Sequence, residues 1–203
     1  MAQGIFPTPV QPARAAGFLG FDAGVAATAV PIDQNSPYWK LSVKNDFSVS
    51  NHVGVPRLVA SKGFGGGTIS GSYAKISDTG IKTYGGALDF PLVRGTIATP
   101  ELALRASYAT ITGVDVYKQK VYGVEAFLSK GFGPVMPYVA VGRMRSNATG
   151  TIVLPTTTRT LHDNSDINRY TAGVRISLVV PRFAVEVTKA QVTSYAAKIS
   201  FGF

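Results

Sequence analysis

Apolar and polar residues alternate with a period of two along most of the chain, in segments of about ten residues. From Tyr195 onward the positions Ala197, Ile199, Phe201 and Phe203 are apolar, with Ala196, Lys198, Ser200 and Gly202 between them. Upstream, Tyr170, Ala172, Val174, Ile176, Leu178 and Val180 share one parity, while Arg169, Thr171, Gly173, Arg175 and Ser177 share the other. Leu102, Leu104, Ala106 and Tyr108 alternate with Ala103, Arg105 and Ser107, and Tyr84, Gly86, Leu88, Phe90 and Leu92 with Gly85, Ala87 and Asp89. A helix would spread the charges over the apolar stripe; a strand keeps them on one face.

This pattern predicts strands near residues 17–30, 53–62, 68–76, 81–93, 101–112, 119–130, 135–146, 168–180, 182–191 and 195–203. Short connections follow the second strand (Gly63–Gly67), the sixth (Gly131–Pro134) and the eighth (Val180–Arg182). Longer polar connections follow the first (Pro31–His52) and the seventh (Asn147–Ile167). Tight turns on one rim and long loops on the other, with an even strand count, define an all-β class: an antiparallel up-and-down transmembrane barrel of the outer-membrane kind. The pentapeptide Ser-Lys-Gly-Phe-Gly occurs at Ser61–Gly65 and again at Ser129–Gly133, and each copy fits a tight turn that places phenylalanine at the inner membrane interface. Neither copy is a phosphate loop, because no Lys-Ser/Thr follows a second spaced glycine.

Composition narrows the picture. The 203 residues hold no cysteine, which excludes disulfides, thiolate metal sites and cysteine nucleophiles. No run of roughly 18 apolar residues is present, so no helix spans a bilayer. The 20 Lys+Arg against 11 Asp+Glu give a net charge of +9, but the basic residues stand singly, which argues against nucleic acid. Residues 1–16, with Pro7, Pro9 and Pro12, read as an irregular periplasmic tail ahead of a barrel over 17–203. No charged-then-apolar leader precedes them, so any secretory signal is expected to be removed or absent from this chain. Tyr38-Trp39-Lys40 is placed in the first outer loop as a short helix or strand, left outside the even count.

With the apolar parity facing lipid, Asp22, Asp89, Glu125 and Glu186 point inward together with Arg57, Arg105, Arg175 and Lys198, and Arg143 is placed with them. A ten-stranded barrel is only slightly wider than the eight-stranded kind that side chains fill. Charges there need partners, so the expectation is an ion-pair network that fills the lumen. The alternative is a narrow, weakly anion-preferring pore. A remote third reading is a surface hydrolase using His162 with Asp163 or Asp166, but no nucleophile elbow or metal-spaced histidine pair accompanies them. His52 and His162 therefore read as solvated loop residues, and no catalytic, cofactor or metal site is expected. Basic residues at both rims suit snorkelling. The outer set, which includes Lys75, Lys82, Lys118 and Lys120, suits lipopolysaccharide phosphates.

The terminal Phe203, behind Tyr195 and Phe201, resembles the signal by which bacterial outer-membrane barrels are handed to their insertion machinery. More specifically, GFDAGV (Gly20–Val25), PYWK (Pro37–Lys40), VPRLVASKGFG (Val55–Gly65), TPELALRASY (Thr99–Tyr108) and LSKGFGPVMPYVAVGR (Leu128–Arg143) resemble a family of uncharacterised proteobacterial outer-membrane β-barrel proteins. The chain departs from that family at GFGGG, where a Leu-Pro-Phe type of turn is usual. The resemblance implies fold and location and carries over no catalytic residues. The expected role is structural or partner-binding, through outer-membrane lipid, lipopolysaccharide or an envelope protein met by the outer loops.

Overall fold

The computed structural model describes residues 6, 9–14, 17–31, 52–75, 80–96, 98–113, 117–154, 157–178 and 180–203, with the backbone alone at 52–53, 152–154 and 157–160. Tyr38-Trp39-Lys40 lies outside them. Ten strands form: β1 (Phe21–Pro31), β2 (His52–Gly63), β3 (Thr68–Lys75), β4 (Lys82–Val93), β5 (Glu101–Thr112), β6 (Tyr117–Ser129), β7 (Val135–Leu154), β8 (Thr157–Ser177), β9 (Pro181–Lys189) and β10 (Thr193–Gly202). Each pairs antiparallel with its sequence neighbours, and β1 pairs β10 from Asp22↔Gly202 to Ala29↔Tyr195, which closes the barrel. Closure leaves no unpaired sheet edge within the wall, the condition for crossing hydrocarbon with strands. The fold class expected from the alternation is the one observed.

The burial pattern is inverted relative to a water-soluble barrel. Val185 on the outer face is 54% exposed, whereas Arg105 on the inner face is fully buried. Phenylalanines 21, 90, 183 and 201 project outward toward the short-turn rim, and tyrosines 84, 108, 122, 170 and 195 project outward toward the long-loop rim. These are two aromatic girdles around an apolar band. At the short-turn rim the Gly63–Gly67 turn is closed by Phe64 N–H donating to the Gly67 carbonyl at 3.1 Å. Gly65 takes φ +84° there and Gly133 takes φ +60° in the sister turn, conformations in which a side chain is disfavoured.

Two expected boundaries move. The first strand begins at Phe21 rather than Gly17, because Gly20 N–H donates to the Gly17 carbonyl at 2.9 Å and makes 17–20 a turn. The expected Asn147–Ile167 loop is instead a hairpin: β7 and β8 stay paired to Leu154↔Thr157. Beyond the membrane both faces of a hairpin meet water, so neither face needs an apolar parity. β9 pairs β8 only from Tyr170 to Ser177, so among the described strands the Thr157–Arg169 stretch of β8 carries no neighbour on that side.

The largest difference concerns the amino-terminal tail. Phe6, Val10 and Ala13 are at most 1% exposed, and each sits in a different apolar cluster on the inner wall. Phe6 packs with Ala109, Val121, Met144 and Ile167, Val10 with Ala26, Val59 and Ala184, and Ala13 with Ala103, Phe127 and Tyr138. The described part of the segment thus runs through the lumen, with Phe6 toward the long-loop side and Arg14 at the short-turn mouth. Residues 6 and 9–14 are a plug, not a periplasmic tail. The lumen of a barrel this size offers the segment apolar wall and hydrogen-bond donors that water alone would otherwise have to replace.

Candidate functional site

The plug is stitched to the wall through its own backbone. Arg57 Nη1 donates to the Phe6 carbonyl at 2.9 Å, Arg105 Nη2 to the Gln11 carbonyl at 3.1 Å, and Thr68 Oγ1 to the Arg14 carbonyl at 2.7 Å. The Gln11 side chain accepts from Lys198 Nζ at 2.8 Å. The Arg169 guanidinium stacks on the Phe6 ring at 4.5 Å, a cation–π contact in a dry setting. Pro9 and Pro12 have no backbone N–H to donate, and the Phe6, Gln11 and Arg14 carbonyls are taken by two arginines and a threonine from the wall. Val10 adopts φ 49°, costly for a β-branched residue, so the packing around it must over-determine its place.

Room for Phe6 is made by a missing side chain. A Cβ at Gly123 would lie 2.4 Å from the Phe6 ring. Gly123 has inward parity on β6, between the buried Val121 and Glu125.

Four buried carboxylates organise the inner wall. Asp89 on β4 and Arg105 on β5 stand opposite each other and pair in fork geometry, at 2.7 and 2.9 Å, with side chains at most 1% exposed. Arg105 also lies over the Phe127 ring. Glu125 on β6 accepts from Arg169 Nε at 2.8 Å, and Arg169 Nη2 lies 3.6 Å from Glu186 on β9. Tyr138 donates its hydroxyl to Glu186 at 3.0 Å. Asp22 on β1 holds Lys198 at 2.5 Å across the closing seam, accepts from Ser200 at 2.9 Å, and pairs with Arg182 at 3.3 Å. Arg57 has no carboxylate within ion-pair distance among the described residues; it donates to Phe6 and to Thr28 Oγ1.

Of the nine charges assigned to the lumen by parity, eight face inward: Asp22, Arg57, Asp89, Arg105, Glu125, Arg175, Glu186 and Lys198. Arg143 does not. It points outward and pairs with Asp166 at 3.0 Å, with side chains 67% and 42% exposed. On β7 the inward row is Tyr138, Ala140, Gly142 and Met144, and the outward row is Val139, Val141 and Arg143. Both rows are apolar below Arg143, so alternation left its parity open. Arg169 was missed, although it shares its parity with Arg175 and bridges Glu125 and Glu186. Gln11 and Arg14 were missed because nothing in a proline-rich stretch announces an interior position.

Tyr195, Phe201 and Phe203 are 55%, 59% and 75% exposed on the outer face, and Phe203 closes the seam by two 3.0 Å backbone bonds with Phe21. His162 is exposed and meets Thr149 Oγ1 at 3.2 Å. Among the described residues no group of three or more His, Asp or Glu side chains could hold a metal ion.

No family model matches the chain, and no curated protein matches it in sequence. Solved barrels do resemble it in shape. The N-terminal β-barrel domain of Pseudomonas aeruginosa OprF aligns over 90% of this chain and 97% of that one, at 12% identity and a TM-score of 0.41. Neisserial surface protein A (NspA) aligns over 90% and 94%, at 12% identity and a TM-score of 0.37. Ail, the attachment invasion locus protein of Yersinia pestis, in complex with the heparin analogue sucrose octasulfate, aligns over 91% and 97%, at 11% identity and a TM-score of 0.35. At these scores the likenesses carry no argument on function, and the barrel rests on its own strand pairing.

Proposed function

We propose that this chain is a bacterial outer-membrane barrel whose lumen is closed by its own amino-terminal segment, with a structural or partner-binding role and no enzymatic one. The observation that carries the reading is the capture of the Phe6, Gln11 and Arg14 carbonyls by Arg57, Arg105 and Thr68 of the wall. A segment held by charge-assisted bonds in a dry interior is a plug by construction. The apolar band, its two girdles and the resemblance read in the sequence support the membrane placement, with short turns inward and the β7–β8 hairpin outward. That hairpin, with the unpaired side of β8 from Thr157 to Arg169, offers backbone donors and acceptors to an envelope partner by strand addition. Lys118 and Lys120 beside it suit lipopolysaccharide phosphates, and Tyr195, Phe201 and Phe203 suit recognition by insertion machinery.

A narrow, weakly anion-preferring pore is the second reading, favoured by the excess of wall cations. With the plug withdrawn, Arg57 and Arg105 lose their backbone acceptors to an open lumen. Planar-bilayer recording separates the two. The full chain is expected to give no reproducible unitary steps, and steps from it would establish the pore reading instead.

A further inference from the structure

At the short-turn mouth the plug, β8 and β9 enclose a cavity of about 560 Å³. Its charged side chains are unbalanced: Arg14, Arg175 and Arg182 face one side-chain carboxylate, Asp22. Asp22 is already engaged by Lys198 at 2.5 Å, by Ser200 at 2.9 Å and by Arg182 at 3.3 Å. Arg14 and Arg175 have no carboxylate within ion-pair distance among the described residues, and Arg175 Nη2 reaches only the Met136 sulfur at 3.8 Å. The Nε of Arg14 and the Nε of Arg175 are both buried without a hydrogen-bond partner. Buried guanidinium donors with neither counter-charge nor acceptor are costly. Phe18, Leu19 and Phe203 form an apolar lip on the same cavity, 73%, 74% and 75% exposed.

We propose that this mouth is a binding site for a phosphate group, held between Arg14 of the plug and Arg175 and Arg182 of the wall. Phosphate fits the chemistry because its several oxygens can accept from more than one guanidinium fork, and such bonds are among the strongest polar contacts. The site joins two parts of the molecule, so an occupied site ties the plug to β8 and β9. It goes beyond the closed-barrel reading and rests on it through the seat of Arg14 in the plug, which bilayer recording tests separately. The phosphate can belong to a free anion or to a lipid headgroup whose chains lie along the Phe18–Leu19 lip. Only the lipid source rests on the membrane placement.

The test uses the full folded chain in two arms. In detergent, the heat-induced shift from folded to unfolded mobility is followed against inorganic phosphate, with sodium chloride at matched ionic strength. In nanodiscs, phosphatidylglycerol is compared with digalactosyldiacylglycerol, a bilayer lipid without phosphate. A saturable upward shift with phosphate beyond chloride assigns a free anion. A shift with phosphatidylglycerol alone assigns the headgroup. Arg175→Met is expected to weaken the effective ligand about tenfold or more, since charge-assisted bonds of this kind are strong. It should leave basal stability in chloride unchanged or raised, because an apolar replacement removes an unpaired buried charge. Arg14→Met, in the plug, reads the same site should the first variant not fold, and Arg145→Met, at an exposed position of β7 opposite Asp166 and away from this mouth, should keep the full response. No shift with either ligand beyond its control, or an undiminished shift in both Arg175→Met and Arg14→Met, overturns the site.

Discussion

Replacing Asp89 with asparagine leaves shape nearly unchanged and deletes one charge from a fully buried fork. Asp89 accepts from Arg105 Nε and Nη2 at 2.7 and 2.9 Å, and neither side chain reaches solvent. The stranded Arg105 has one other oxygen acceptor among the described residues, the Gln11 carbonyl of the plug. Breaking such a pair from one side costs about 3–5 kcal/mol. Asp166→Asn removes a pair of similar length, 3.0 Å, but both partners are largely solvated and the expected cost is about 0–1 kcal/mol. With a urea slope of about 2–3 kcal/mol/M, the Asp89 variant should unfold about 1–2.5 M earlier than the parent. Urea unfolding in lipid vesicles, read by circular dichroism and gel mobility, measures both variants. The double change Asp89→Asn with Arg105→Met should recover part of the loss, because it removes the stranded charge, though it forfeits the bond to Gln11. Equal midpoints for Asp89→Asn and Asp166→Asn would refute the reasoning and point to a wet lumen.

Gly123→Ala drives a methyl group to 2.4 Å from Phe6, so it should destabilise by about 1–3 kcal/mol and raise protease access to the amino-terminal segment; unchanged cleavage would contradict the seat assigned to Phe6. Val185→Arg, on the outer face at a residue 54% exposed, should cost about 2–4 kcal/mol in vesicles, and a neutral result would mean the outer face does not meet lipid. The folded chain should migrate differently on an SDS gel before and after boiling, and identical mobility would argue against a closed barrel.

The strands were legible because lipid on one side and packed polar groups on the other impose a parity that a single sequence displays. Lys198 and Asp22 illustrate how far this reaches: parity turned both inward, and closure of the ring set their strands side by side. The plug was not legible, since its place depends on wall arginines finding backbone carbonyls, and a carbonyl is the same in every residue. Arg143 failed for a different reason: Tyr138 and Ala140 fill the interior around the plug with apolar groups, so the inner row of β7 resembles its outer row. The outer half of β7–β8 escaped because water on both faces removes the contrast. Gly123 carried a usable signal, an inward glycine amid larger neighbours, which marks close approach of another chain segment.

The central claim is that Phe6 and residues 9–14 occupy the lumen. The chain has no cysteine, so single replacements report cleanly on access. Val10→Cys, at a position fully buried in the barrel, should resist a water-soluble maleimide in vesicles and react fully in urea. Val10→Cys with Ala184→Cys, which share one apolar cluster, should cross-link under mild oxidation only when folded. Rapid labelling of Val10→Cys in the folded barrel, with no cross-link to Ala184→Cys, would show an open lumen and contradict the account.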